Sequence, residues 1–296
     1  MHGGPRFSEP ALVDDGVLTE LREIIPFAPL HMPAAISGIE AVGARWDIPQ
    51  VACFDTAFHH RLPLLAQRLP LPGSLWDAGV RRYGFHGLSY EYIVGALGAA
   101  ELGRAVIAHL GNGASMVAVH NGRSVDTTMG FTPAGGLIMS TRSGDLDPGV
   151  PVFLLREQGY DADGLEQLVD REAGLVALSG STADMRTLLE RREQDPRAAL
   201  AVDAFCYQAR KHVGALAAVL GGLDALVFTG GIGEKAAGIR SGICDGLGHL
   251  GVELDDEANS GHAAVISAAD GDCVVRVEPT DEDLVIARHT SALVAG

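Results

Sequence analysis

The sequence predicts an α/β fold built on a mixed sheet with helices on its faces. Residues 105–127 read as three short strands joined by glycine turns, with Val106, Ile107, Met116, Val117 and Val119 as apolar strand residues. Further strand-like runs at 225–229 (ALVFT) and 273–278 (CVVRVE) are separated from these and from each other by helical patterns. The order βββ-α-β-α-β-α needs crossover helices, which place helices against a partly parallel sheet. The bulk numbers agree. A chain of 296 residues with 47% hydrophobic and 20% charged content can bury a large core or two ordinary ones.

Taken in order, residues 11–25 predict a helix, since Leu12, Val13, Leu18, Leu21 and Ile24 recur at roughly helical spacing. Residues 50–54 (QVACF) predict a buried strand that ends at Asp55, and the Pro- and Leu-rich stretch 62–73 predicts a connection. The three strands are expected at 105–110, 114–120 and 123–127. Their turns are Gly111-Asn112-Gly113 and Asn121-Gly122, residues that tolerate positive φ. Helices follow near 151–158 and 182–192. The clearest helix is 196–220, with Pro196 in its first turn and Leu200, Phe205, Ala209, Val213, Leu216 and Leu220 as one stripe. Strand 225–229 leads into a glycine bend and a helix from about 235. After strand 273–278, Thr280 and Asp283 resemble a capping box that opens the last helix, to about 293.

Several function classes are disfavoured. The formal net charge of −16 and the lack of a basic stripe argue against a nucleic-acid partner. The four cysteines, Cys53, Cys206, Cys244 and Cys273, form no C-x-x-C pair, so structural zinc and a disulfide scaffold are not expected. They read as small buried residues in a reducing compartment. No uncharged apolar run reaches membrane-span length, and the first ten residues do not read as a signal peptide. The expectation is a cytoplasmic protein without a membrane partner.

Five stretches carry residues suited to phosphate chemistry. His109-Leu110-Gly111-Asn112-Gly113 can bring backbone N–H groups close to a phosphate, or be an ordinary tight turn. The run 228–235 (FTGGIGEK) can present a helix start to a nucleotide, or need glycine only for packing. Arg142, within 141–148 (TRSGDLDP), can fork onto a phosphoryl oxygen or be tied to Asp145 or Asp147. Asp55 and Glu282 sit at element ends, where carboxylates hold Mg²⁺ in phosphoryl transfer, although acids favour helix starts in any case. His31 and His86 can each donate to an oxyanion, and each alone is commonly structural.

Together these stretches resemble the acetate kinase family, within the actin-like superfamily that also holds sugar kinases. The matching runs are HGGPRF (2–7), APLH (28–31), FDTAFH (54–59), YGFHG (83–87), HLGNGAS (109–115), MGFTPAGGL (129–137), TRSGDLDP (141–148), SGSTADMR (179–186), FTGGIGEK (228–235) and PTDEDLVIAR (279–288). The resemblance implies an actin-like, ribonuclease H-like two-lobe kinase fold and ATP-dependent phosphorylation of acetate with Mg²⁺ or Mn²⁺. By the same resemblance, Asp55 and Glu282 place metal and nucleophile, with Glu282 as the metal ligand. His86 and Arg142 stabilise the moving phosphoryl, and His31 is the other active-site histidine. Residues His109, Leu110, Gly111, Asn112 and Gly113 form the phosphate clamp. Asp184, Met185, Arg186 and the loop Gly231, Ile232, Gly233, Glu234, Lys235 form the nucleoside site. A homodimer is implied as well.

The chain departs from the family pattern in places. Family members open on a strand ending in N-x-G-S-S-S-x-K and then read R-V-V-H-G-G, whereas this chain opens at Met1-His2-Gly3-Gly4. The expectation is therefore an incomplete N-terminal lobe (1–59), a C-terminal nucleotide lobe (60–281) and a last helix (282–296) returning toward the first lobe. A misplaced start and a true truncation both account for this, and impaired activity is expected. Met32 replaces Asn after Leu-His, Leu88 and Tyr90 replace Thr and His in G-F-H-G-T-S-H, and Lys235 replaces Asn. The alternatives are a kinase of propionate or another short acyl group, or a catalytically dead nucleotide-binding remnant. A sugar kinase is disfavoured because FDTAFH and TRSGDLDP do not look like sugar-kinase loops.

Overall fold

The computed structural model describes residues 1–29 and 31–295; Leu30 of the APLH run lies outside them. A five-stranded sheet carries the larger part of the chain. Its strands are β3 (Arg104–Leu110), β4 (Ala114–His120), β5 (Arg123–Thr127), β6 (Ala225–Thr229) and β7 (Val274–Val277), in spatial order β5-β4-β3-β6-β7. β3, β4 and β5 form an antiparallel meander, while β6 pairs parallel to β3 and β7 parallel to β6. This is the mixed sheet the element order predicts.

Both faces of β3 are buried, so it reads as a near-continuous apolar run. Val106, Ala108 and Leu110 face the long helix α6 (Pro196–Leu220), packing with Val202, Phe205, Ala209, Val213 and Leu216. Ala105 and Ile107 face the other way, onto Tyr90 and Ile93 of α3 (Gly87–Leu97). The α6 stripe is not quite the expected one. Ala201 and Val202 keep the three-and-four spacing back from Phe205 and are buried, whereas Leu200 is 55% exposed.

A smaller core gathers at the N-terminal end. Strand β1 (Ala11–Leu12) pairs antiparallel with β2 (Val51–Ala52), flanked by α1 (Asp15–Glu23) and α2 (Met32–Gly43). Leu21, Met32, Ile36 and Phe54 are its buried centre. The expected helix 11–25 is thus a short strand followed by a helix. Asp14 caps α1 by accepting from the Val17 N–H, which places the helix start beyond the apolar Leu12-Val13 pair. The expected strand 50–54 shrinks to two residues, because Cys53–Asp55 turn to meet Met1.

Later elements are α4 (Gly149–Glu157), α5 (Met185–Arg191), α7 (Gly230–Lys235), α8 (Ala237–Cys244), α9 (Asp256–Ser260) and α10 (Glu282–Ala295). α7 starts directly at Gly230, so the expected glycine bend is already helical. Gly230 has φ of 75° and packs on the Leu110 backbone, where a Cβ would come within 2.8 Å of the carbonyl oxygen. α10 is capped by Asp281, which accepts from the Leu284 N–H, rather than by Thr280, whose hydroxyl is buried without a partner. α10 packs on α3, with Val285 against Cys53 and Leu88. The four cysteines are free and buried. Among the described residues, no helix is long and apolar enough to cross a membrane.

Candidate functional site

The site forms where the β3–β4 turn meets the start of α3 and the loop after β5. The turn is closed by the Gly111 N–H donating to the Gly113 carbonyl at 3.0 Å. Contrary to expectation, none of its three residues uses positive φ; the Asn121-Gly122 turn does, at 51° and 75°. Glycine at 113 answers a different need, close approach. A Cβ there would stand 3.2 Å from His86 Nε2 and 3.5 Å from Arg142 Nη1. The open side of Gly113 therefore faces two nitrogens at once.

His86 is held from its backbone. It sits just before α3 in the left-handed region (φ 58°), rare for a residue with a side chain. Its N–H donates to Asp55 Oδ2 at 3.1 Å, and the Gly87 N–H donates to the Asp55 carbonyl at 2.8 Å. A Cβ at Gly87 would lie 2.2 Å from that carbonyl oxygen, so the run GFHG is needed to clamp the Asp55 turn. The His86 ring stacks on His109, with centroids 4.2 Å apart. His86 Nδ1 lies 2.8 Å from Ser115 Oγ, and His109 Nδ1 lies 2.9 Å from Ser89 Oγ. Burial, then the neighbouring Arg142 charge, pulls the His86 pKa down to about 3. Burial and His86 do the same to His109, also to about 3. Both rings are neutral donors at physiological pH.

Arg142 is not tied to either nearby acid. Asp145 accepts from the Gly136 N–H and Asp147 from the Gly149 N–H. Arg142 instead donates through Nη2 to His31 Nε2 at 3.1 Å and through Nη1 to the Pro133 carbonyl at 3.3 Å. Because a guanidinium only donates, His31 Nε2 must be the acceptor, which puts the ring proton on Nδ1. Burial, then the Arg142 charge, lowers the His31 pKa.

The charge of Asp55 reaches Glu282, far away in sequence. Burial raises the Glu282 pKa, and the Asp55 charge is the next cause. No cluster of three or more His, Cys, Asp or Glu able to hold a metal exists among the described residues. A pair of carboxylates close enough for the charge of one to be felt by the other suits an oxygen-loving divalent ion that keeps waters and substrate phosphates as its remaining ligands. The residues present therefore fit the implied metal.

Two cavities flank this cluster. One, of about 500 Å³, is lined by Gly111, Asn112, Ser140, Asp184, Arg186 and Lys235 among others. The other, of about 250 Å³, is lined by Pro29, His31, Pro133, Ala134, Arg142 and Asp170 among others. The remaining expected site residues take varied positions. Asp184 caps α5 by accepting from Thr187. The Leu110 and Met185 side chains are in the core, leaving only their backbone for a ligand. Gly231, Ile232 and Lys235 line the larger cavity. The Gly233 and Glu234 carbonyls are taken by the buried Arg240, and the Glu234 carboxylate accepts from the Gly230 N–H. Sequence reasoning missed Ser115, Ser89 and Arg240; no local pattern marks a serine that orients a histidine from another element.

The sequence matches the model of the acetokinase family over residues 1–288. It is 51% identical to an acetate kinase of Rhodopseudomonas palustris over 304 residues, covering 100% of this chain and 76% of that protein. It is 48% identical to one from Nitrobacter hamburgensis, covering 99% and 73%. Among solved structures it is similar to Porphyromonas gingivalis acetate kinase, with TM-score 0.91, 39% identity and coverage of 99% and 76%. It is similar also to a propionate kinase from Francisella tularensis, with TM-score 0.93, 37% identity and coverage of 98% and 76%. The fold is accordingly the actin-like α/β kinase fold, and the chain belongs to the acetokinase family.

Proposed function

We propose that this chain transfers the γ-phosphoryl of ATP to acetate, giving acetyl phosphate and ADP. The observation that carries this reading is the convergence of Arg142 and His86 on the open side of Gly113, between a nucleotide-sized cavity and a small one. ATP occupies the larger cavity, with its nucleoside toward Asp184, Arg186 and Lys235 and its phosphates along the 109–113 turn. Acetate occupies the smaller cavity, its methyl against Pro29 and Pro133 and its carboxylate toward Arg142. One carboxylate oxygen forms a bond to phosphorus while the bond to the bridging oxygen of ADP breaks. Acetate is already an anion at neutral pH, so no general base is needed. Catalysis is then positioning plus charge neutralisation. Arg142 supplies fixed positive charge, and the neutral His86 supplies an N–H. Asp55 and Glu282 would hold Mg²⁺ or Mn²⁺, which when bound neutralises phosphate charge.

The acyl specificity has a second reading. Similarity to a solved propionate kinase is compatible with an acceptor one methylene longer. A pocket distinguishes one methylene by roughly 10–200-fold. Trapping the acyl phosphate with hydroxylamine, with acetate and propionate as competing acceptors, tests both. We expect ATP- and metal-dependent product with acetate preferred. No acyl phosphate from either acid sinks the kinase reading, and a propionate preference replaces the acceptor.

We propose further that residues 60–281 form the nucleotide lobe, and that residues 1–59 with the helix from 282 form the other. We propose that the working form is a cytoplasmic homodimer. Val150, Val152, Phe153 and Leu155 on α4, with the adjacent Leu146, are all exposed by 41–53%, and a second copy would cover such a strip.

A further inference from the structure

We propose that Tyr90 and Ser115 are positioning residues that fix the His86 imidazole in the tautomer with its proton on Nε2. The proposal deepens the reading of His86 as a donor to the moving phosphoryl and rests on it. Three side chains form a chain of hydrogen bonds: His86 at the start of α3, Tyr90 one turn into it, and Ser115 on β4. The Tyr90 hydroxyl, from α3, contacts Ser115 Oγ on β4, and Ser115 Oγ lies 2.8 Å from His86 Nδ1. Tyr90 and Ser115 are both 0% exposed, so no solvent competes for either bond.

The direction of the chain follows from what each group can do. Burial drives the Tyr90 pKa upward, so the phenol keeps its proton. That O–H needs an acceptor, and among the described residues its only hydrogen-bonded side chain is Ser115. Ser115 Oγ therefore accepts from Tyr90, and its own proton goes to the other partner, His86 Nδ1. Nδ1 is then an acceptor, and a neutral imidazole with Nδ1 unprotonated carries its proton on Nε2. The reverse arrangement, with His86 Nδ1–H donating to Ser115, strands one buried proton without an acceptor: the serine's if Ser115 accepts from both partners, the phenol's if Ser115 donates to Tyr90.

The consequence falls at the reacting centre. His86 Nε2 is the nitrogen facing the open side of Gly113, beside Arg142 Nη1. In the opposite tautomer a lone pair, not an N–H, would face the phosphoryl oxygens and repel them. Tyr90 stands where the family pattern ends in histidine, which can donate or accept. A protonated tyrosine beside a single side-chain partner makes the direction one-way.

The test is the nitrogen-15 spectrum of the full chain labelled at histidine, with His86 assigned by its loss in His86→Gln. We expect a pyridine-like Nδ1 and a pyrrole-like Nε2 for His86. In Tyr90→Phe, which keeps the buried ring, Ser115 is freed to accept instead, so the two nitrogen shifts move toward each other. Ser115→Ala should move them at least as far. A pyrrole-like Nδ1 in the unaltered chain overturns the proposal, as do unchanged His86 shifts in both variants. The spectrum does not depend on turnover. A chain that shows the expected shifts but makes no acyl phosphate keeps this wiring and loses the kinase reading.

Discussion

Gly113→Ala separates the site from the fold. Gly113 does not occupy the left-handed region, so alanine meets no backbone strain there. The added methyl meets His86 Nε2 at 3.2 Å and Arg142 Nη1 at 3.5 Å, tight contacts that a shift of a few tenths of an ångström relieves. Removing glycine's freedom in the unfolded chain contributes about 0.4–1 kcal/mol toward stability. Melting should therefore hold steady or rise. The effect on chemistry is of another order. Donors act on a developing oxyanion from about 2.7–3.1 Å, so the methyl carbon takes the place of a phosphoryl oxygen. The phosphoryl must withdraw by about 1 Å, a displacement that costs on the order of 10²-fold in rate. The assay is acyl phosphate formation beside a thermal melt. A hundredfold loss of turnover at constant melting temperature is expected. Turnover within threefold of the unaltered chain would refute the assignment of this spot to the moving phosphoryl.

Other outcomes follow from the same structure. Phe153→Asp places a charge at the centre of the exposed α4 strip, 53% accessible in the single chain, and light scattering should then report a monomer; an unchanged dimer mass would move the interface elsewhere. Buried His59, bonded to Ser124 and the Phe85 carbonyl, has its pKa lowered by burial from 6.5 to about 4. The folded state thus binds fewer protons than the unfolded chain in that window, and stability present above pH 6.5 is lost as pH falls toward 4. His59→Gln should flatten the slope of melting temperature against pH there, and an unchanged slope counts against this assignment. Arg240, 0% exposed, donates to the Gly233 and Glu234 carbonyls and to Asn259. Arg240→Leu leaves these buried acceptors unpaired at about 1–3 kcal/mol each. Urea unfolding should show a loss of about 3 kcal/mol or more, and a loss below about 1 kcal/mol would mean that water replaces the guanidinium.

How much of this was legible depended on whether the signal was local. Strands 114–120 and 123–127 and helix 196–220 fall on the residues expected. Each is bounded by its own punctuation, such as Asn121-Gly122, or Pro196 preceded by the capping Asp195. The pairing of Ala11–Leu12 with Val51–Ala52 was not legible, because Leu12 and Val13 fit a helical stripe and their strand partner lies some forty residues away. The start of α7 was misplaced for a related reason: Gly230 needs its left-handed φ to lie on the Leu110 backbone, a contact no local pattern displays. The site followed the same rule. Asp55, His86, Arg142 and Glu282 were each ambiguous alone, and only the ordered set of motifs singled them out. The structure joins them through Asp55 accepting from His86, through the shared face of Gly113 and through the Asp55 charge that helps raise the Glu282 pKa.

That geometry also explains why histidines crowd a site for so anionic a reaction without being its source of charge. His31, His86 and His109 all have lowered pKa values, with burial the largest cause in each and the Arg142 or His86 charge next. A cationic ring beside Arg142 would add positive charge but repel the guanidinium in every state lacking substrate. A neutral ring avoids that cost and still offers an N–H of fixed direction, provided its tautomer is set. The buried serines supply that setting: Ser115 lies on His86 Nδ1 and Ser89 on His109 Nδ1. The proposed division of labour is therefore Arg142 and the metal that Asp55 and Glu282 would hold for charge, and the imidazoles for direction. It predicts that His86→Lys, which adds charge without direction, turns over more slowly than His86→Asn, which keeps a neutral donor. The opposite ranking would show that charge, not donor geometry, is what His86 contributes.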